Sequence, residues 1–376
     1  MRKIIFAALA ALVLASCSKN NEDAAGGNTQ KATLYIGVKA PEMSRAATTG
    51  NIPSDANIKD FKVFVVDGDN SLKSGYVISG ETTGSAEIAV TNKAKRVYVI
   101  ANAGNIAMEN EAAILNYLAD LNGTGSQTNY RWATGQANLV TNDFKDAGGG
   151  KLVASKNITL TFIAARITVK IEMASDMKNY YNGNASDGSL VLKKIAVLNA
   201  RGESKLFGES LIPQNYTKGK KWYTGINNNN FKYFPENGQY TYTANLLSNN
   251  LFTNITNGNY YYYVFENDTQ NIDKYPTIVT LLGTYAGQDI YFPVHLAPYE
   301  SWGPSSESHP DFITRGYSYD ITITLTGDPR FKEGGDYPGD TGGSKDPTDP
   351  HPNSSAKIKV NVSLNNWVPI TLNKEF

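Results

Sequence analysis

The residue types that could do catalytic chemistry are present but not organised for it. The three histidines, His295, His309 and His351, fall on a predicted strand, a loop and a polar linker. Ser308-His309-Pro310-Asp311 sets the members of a hydrolase triad side by side. Such a triad is assembled across a fold, and neighbours in sequence rarely face one another in its geometry. His295 reads as a strand-face histidine. Asp336, Asp340, Asp346 and Asp349 carry oxygens that calcium would accept, but their spacing matches no EF-hand loop and lacks its bidentate glutamate, so a solvated linker accounts for them. Gly148-Gly149-Gly150 is followed by no lysine and serine or threonine at P-loop spacing and reads as a hinge or loop. No carboxylate pair is marked out for glycosidase work. The expectation is no catalytic residue, no metal and no cofactor.

Cys17 is the exception, and its chemistry is acylation. It is the single cysteine, so the chain forms no internal disulfide and no cysteine and histidine cluster for zinc. Arg2 and Lys3 lead an apolar run from Ile4 to Leu14, which closes as Leu14-Ala15-Ser16-Cys17. Residues 1–17 therefore read as a secretory signal with a lipobox, too short to span a bilayer as a mature helix. A diacylglyceryl thioether on Cys17 would tether the precursor, since one chain alone binds weakly and lipoproteins carry several. Ser18 to Gln30 has the composition of a disordered spacer. A second processing point follows at Ser44-Arg45-Ala46-Ala47-Thr48-Thr49-Gly50, the sort of exposed small-residue linker that a trypsin-like protease opens between Arg45 and Ala46.

Two matching combs flank the body of the chain. Ala32, Leu34, Ile36, Val38 and Ala40 alternate with Thr33, Tyr35, Gly37 and Lys39. Ala356, Ile358, Val360, Val362 and Leu364 alternate with Lys357, Lys359, Asn361 and Ser363. Both have the period of a half-buried strand, and one groove would accept either. Asn365 and Asn366 read as a turn into a second strand from Trp367, with Val368, Ile370 and Leu372 on one parity and Pro369 suited to an edge. The final hairpin, residues 356–376, hangs on a Gly, Pro, Asp and Ser-rich tether at residues 333–355, long enough to let it leave the body.

Between the combs, composition favours an all-β protein. Tyr (23) outnumbers Phe (14) and glycines are frequent, with turn residues at short spacing. Strands are expected at Ile58 to Val66, Tyr76 to Ile78, Ala86 to Val90 and Arg96 to Ala101, the last apolar enough to be central. Glu109 and Glu111 open a predicted helix with Ile114, Leu115, Leu118 and Leu121 on one face and Gly123 as its stop. A division near Ala154 gives domains at 46–154 and 155–332. Later strands are expected at Leu190 to Leu198, Tyr260 to Val264, Thr277 to Tyr285, Gln288 to Leu296 and Tyr317 to Leu325. The chain has formal net charge zero, and residues 1–45 hold six basic and three acidic residues, which leaves the remainder at −3. Neither value offers the basic footprint of a nucleic-acid binder.

The lipobox at Cys17, the Arg45-Ala46 junction, Val97-Tyr98-Val99-Ile100-Ala101-Asn102-Ala103-Gly104, Ala165-Arg166-Ile167, Leu206-Phe207-Gly208, Phe265-Glu266-Asn267-Asp268, Arg315-Gly316-Tyr317-Ser318-Tyr319-Asp320-Ile321 and Asn366-Trp367 occur in an order that resembles the FimA-type fimbrillins. These are the stalk subunits of type V pili of Bacteroidia. The resemblance implies two tandem transthyretin-like Greek-key β-sandwich domains, with a short helix in the first. It also implies export as a lipoprotein precursor to the outer membrane, with Cys17 as lipid acceptor. An arginine-specific protease then cuts after Arg45 and Ala46 becomes the new N-terminus. Leu34, Ile36 and Val38 would belong to the displaced strand; Ile358, Val360, Val362, Leu364, Trp367, Val368, Ile370 and Leu372 would belong to the donor. The partners it implies are further copies of the chain and accessory tip and anchor subunits, in a fimbrium serving adhesion. Other expectations are a tip or anchor role, or a surface lipoprotein that binds host protein or captures glycan on tyrosines and Trp132, Trp222, Trp302 or Trp367. The simplest alternative for the tail is an ordinary last strand of its own domain.

Overall fold

In a computed structural model of the chain, residues 28–39, 58–81, 83–121, 131–173, 191–207, 221–226, 239–242, 258–267, 277–285, 288–295, 313–325 and 358–366 are described. The first unit holds β1 (Lys31–Lys39), β2 (Ile58–Val66), β3 (Leu72–Glu81), β4 (Thr83–Thr91), β5 (Arg96–Ala101), α1 (Glu111–Asn116), β6 (Leu118–Asp120), β7 (Ala133–Asn138), β8 (Lys145–Asp146), β9 (Leu152–Thr159) and β10 (Thr161–Phe162). The second holds β11 (Ala164–Met173), β12 (Val191–Leu198), β13 (Ala200–Arg201), β14 (Glu203–Lys205), β15 (Lys221–Thr224), β16 (Gln239–Tyr242), β17 (Gly258–Phe265), β18 (Ile278–Tyr285), β19 (Gln288–His295), β20 (Tyr317–Leu325) and β21 (Ile358–Asn366).

Each unit is a two-layer sandwich. In the first, the sheet β4-β1-β9-β8 faces β10-β7-β5-β2-β3, and Leu34, Ile36, Val38, Ile88 and Ile158 meet Phe61, Val63, Val65, Val97 and Val99 in one core. In the second, β17-β11-β20-β21 packs Ile167, Val169, Ile171, Tyr319 and Ile321 against Ile195, Val197, Val279 and Leu281 of β12-β18-β19. The two four-stranded sheets repeat one plan. β1 lies antiparallel to β4 and parallel to β9, as β11 lies antiparallel to β17 and parallel to β20. The fourth strand, β8 or β21, then flanks the parallel neighbour on its outer side.

The continuous apolar run of β5 has a specific cause. Its sheet is covered on both faces: Phe61, Val63, Val97 and Val99 fill the sandwich, while Phe64, Val66, Tyr98 and Ile100 join the core of the second unit. A strand between two apolar layers has no solvent face to keep polar.

Three local expectations are corrected. The helix ends at Asn116, where Tyr117 turns extended. Leu118 starts β6 instead, paired with β14 of the second unit. Only the start was legible: Glu111 lies in the first turn and Asn110 accepts from Ala113 N, the usual N-cap arrangement. The division drawn at Ala154 falls inside β9, whose pairing with β1 keeps it in the first sheet, and β10 still pairs with β7; the second unit begins at β11. Asn365 and Asn366 are not a turn but the end of β21, opposite Ser318 and Tyr317.

Candidate functional site

The first comb forms an interior strand. β1 matches β4 from Lys31↔Thr91 to Lys39↔Thr83 and β9 from Ala32↔Leu152 to Lys39↔Thr159. Leu34 and Ile36 have no exposed surface and Val38 is 2% exposed. β4 and β9 share no ladder with each other, since β1 stands between them. Taking β1 away would therefore leave a slot, not a trimmed edge: two rows of unpaired backbone groups above bare core from Ile88, Val90, Ala154 and Ile158. Each large aliphatic residue withdrawn from that core forfeits about 1.5–3 kcal/mol. A slot of this kind invites another strand.

The second comb sits at a margin. Among the described residues, β21 pairs antiparallel with β20 alone, Ile358↔Leu325 through Asn366↔Tyr317, and ends the sheet order. Ile358, Val360, Val362 and Leu364 fall opposite Leu325, Ile323, Ile321 and Tyr319. Without β21, β17-β11-β20 remains a paired sheet. Among the described residues, β21 is thus held by one ladder, whereas β1 is held by two. Cys17, Arg45, Ala46, Trp367, Val368, Ile370 and Leu372 lie outside the described residues.

A joint holds the two sandwiches together, and periodicity alone gave no sign of it; it joins β5, β6 and β7 to the segments around Leu206, Phe207 and Tyr223. Tyr98 of β5 meets Phe207 edge-on at 4.9 Å between ring centroids. Burial, with the Glu111 carboxylate beside it, pushes the Tyr98 phenol up to about 12; the O–H donates to Glu111 Oε1 at 2.6 Å, and Arg96 Nε lies 2.7 Å from that same oxygen. Thr134 Oγ1 donates to Leu206 O at 3.0 Å, and the Tyr223 hydroxyl donates to Asp120 Oδ1 at 2.9 Å. Arg315 fastens the assembly from the second unit. It is ion-paired with Glu266, its Nε donating to Oε2 at 2.9 Å, and it also donates to Leu206 O and to Ser204 Oγ. Arg166 donates to Ser318 Oγ. The segments around Tyr98, Phe207, Glu266 and Arg315, which also carry the resemblance, thereby lie at or beside this joint, while Arg166 ties β11 to β20 within the second sheet.

Among the described residues, no three His, Cys, Asp or Glu side chains gather as a metal site. Trp132 and Trp222 are 2% and 3% exposed, which removes both from the stacking platforms expected of a glycan binder; Trp302 and Trp367 lie outside the described residues.

Comparison with known proteins agrees with the strand plan. The profile of the FimA-like major fimbrial subunit protein, C-terminal domain, matches residues 164–367, beginning on the first residue of β11. That of the major fimbrial subunit protein FimA matches residues 31–202, beginning on the first residue of β1. The chain belongs to the FimA-like major fimbrial subunit family. A prokaryotic membrane lipoprotein lipid attachment site matches residues 1–18, which contain Cys17. The FimA-like chain is 24% identical to the major fimbrium subunit FimA type-4 of Porphyromonas gingivalis, over 98% of its own length and 97% of that protein's. Its fold is that of a fimbrilin from P. gingivalis W83, with TM-score 0.60 and 19% identity over 91% of this chain and 99% of the other. It is also that of a cell adhesion candidate from Bacteroides eggerthii, with TM-score 0.59 and 23% identity over 91% and 98%.

Proposed function

We propose that this FimA-like chain is a stalk subunit of a cell-surface fimbrium, made as a lipoprotein precursor and polymerised by strand exchange after cleavage between Arg45 and Ala46. The reading rests above all on one contrast: β1 is interior with two ladders, and β21 is marginal with one. A tail that moves from β20 of its own chain to the β1 slot of the next gains a second neighbour and a core to cover. The contact is head to tail and does not close on itself, so its repetition makes a filament.

Cleavage after Arg45 supplies the trigger. While the chain is whole, β1 is tethered to its slot, and an intramolecular strand outcompetes a dilute one. Once cut, it competes on its own affinity, and its departure carries the Cys17 lipid away with it. The partners of this scheme are other copies of the chain, an arginine-specific protease, accessory tip and anchor subunits, and the outer membrane through the precursor's lipid; adhesion is the purpose of the assembled fibre. No nucleic acid enters it. A tip role fits less well, because the tail is present and has a seat it can leave.

Treating purified precursor with an arginine-specific protease is expected to turn monomers into filaments visible by negative-stain electron microscopy. The Arg45→Ala precursor, given the same treatment, is expected to keep β1 and remain monomeric. Filaments from Arg45→Ala precursor that is still intact on mass spectrometry would refute this trigger.

A further inference from the structure

We infer that the tail of one copy enters the β1 slot of the next in a single register, with Ile358, Val360 and Val362 at the positions of Leu34, Ile36 and Val38, and Lys359 directly opposite Glu87. This rests on the strand-exchange reading and adds to it which residues of the two copies meet.

Three in-phase registers compete when the tail runs in the direction of β1, and side-chain volume separates them. In the proposed one, Leu34 is replaced by its isomer, Ile36 by a residue one methylene smaller, and Val38 by valine. Ala356 then succeeds Ala32, which is 7% exposed between Val90 and Leu152. Moving the tail two positions one way drives Ile358 into that alanine-sized place, an overpacking that cores resist. Moving it two positions the other way sets Ala356 where Leu34 was and leaves a void. Threading it backwards either buries Asn366 at the Ala32 position or exchanges alanine there for valine or leucine.

Charge on the outer face disfavours one of the two shifted registers. Tyr35, 45% exposed, stands opposite Glu87 on β4, and the proposed register places Lys359 there. Opposite charges facing each other across an antiparallel ladder attract, while like charges repel. The register that drives Ile358 into the Ala32 place puts Asn361 there and forfeits the pairing, while the opposite shift puts Lys357 there and is disfavoured by the void alone. One adjustment accompanies the fit. Gly37 leaves its outer face to Asn157 of the paired β9 position, whose Oδ1 occupies the space a Cβ would take. The incoming residue here is Asn361, so the Asn157 carboxamide turns aside and the two amides lie side by side, each with donors and an acceptor to offer.

Paired cysteines test both register and direction. The processed protein has no cysteine of its own, because Cys17 leaves with the cleaved segment. Directly opposed residues lie within disulfide reach. In filaments of the Lys359→Cys, Glu87→Cys protein, mild oxidation is expected to join most subunits into a ladder on non-reducing gels. The Asn361→Cys, Ser85→Cys protein is expected to behave the same way, since Ser85 faces position 37. Within one chain Lys359 lies beside Thr324, so such bonds join different copies. Filaments that link through Asn361→Cys with Glu87→Cys, or through Lys359→Cys with Ser85→Cys, instead overturn the register while leaving strand exchange intact. Filaments in which no tail cysteine reaches β4 overturn the exchange reading itself. A charge swap decides independently of cysteine chemistry: Lys359→Glu is expected to slow polymerisation about two- to five-fold at low salt, and Glu87→Lys to restore it. Absence of rescue overturns the register.

Discussion

A precursor lacking residues 356–376 is expected to be cut after Arg45 and then to stay monomeric, its β1 slot still holding the nicked segment or standing open. The magnitude follows from what the tail supplies. Four large aliphatic residues at about 1.5–3 kcal/mol each give on the order of 6–12 kcal/mol before the entropy of ordering is subtracted. Even half of that separates durable filaments from a solution of monomers. The fold tolerates the deletion, because β21 is a marginal strand and β17-β11-β20 stays paired without it. The deleted protein should therefore keep its circular dichroism and a cooperative melt while losing assembly entirely. Filaments formed by it would mean that the subunits join through some other surface.

The second large effect lies at the joint. Arg315→Met removes a guanidinium that serves Glu266, Leu206 O and Ser204 Oγ together. It leaves the Glu266 carboxylate, 9% exposed, without its counter-ion. Breaking a buried pair from one side costs about 3–5 kcal/mol, which for a cooperative unit of this size lowers Tm by about 4–8 °C. Removing both partners in Arg315→Met, Glu266→Gln is expected to recover much of the loss, since the isolated charge is gone. A second consequence distinguishes a joint from an ordinary core contact. The apolar core runs unbroken from Tyr98 and Trp132 into Phe207 and Tyr319, so the native chain should melt in one calorimetric transition. The single variant should broaden that transition or split it in two. An unchanged, single transition in Arg315→Met would show that the ion pair does not couple the sandwiches.

Period-two patterning carried much of this architecture. β2, β5 and β20 occupy the stretches their alternation or apolar runs marked, and β1 does so up to Lys39. Alternation reports which face of a strand is buried, and in a two-layer sandwich that is most of what determines a strand. What it could not report is pairing. Leu118 and Leu121 keep helical spacing with Ile114, yet β6 follows a strand from across the joint, and no local signal announces β14 as its partner. Likewise Ala154 stands where the hydrophobic pattern changes, but the chain stays in the first sheet because β1 needs a parallel neighbour on its second side. Asn365-Asn366 carries turn chemistry, and the ladder from Tyr317 and Ser318 overrides it. The joint was visible only as motif fragments: Glu266 and Arg315 stand far apart in sequence and meet only through the fold. The slot itself was half legible. The matching combs raised the expectation that two segments suit one groove, whereas the interior position of one and the marginal position of the other emerged from sheet order.

The most direct measurement is an electron cryo-microscopy map of filaments grown from the processed protein, at a resolution that traces strands. Between β4 and β9 of each subunit it is expected to show density for Ile358 to Leu364 continuous with the body of a neighbouring subunit, and no tail left on β20. A map in which every β21 still lies on its own β20, or in which the place between β4 and β9 is filled from the same chain, would contradict the account.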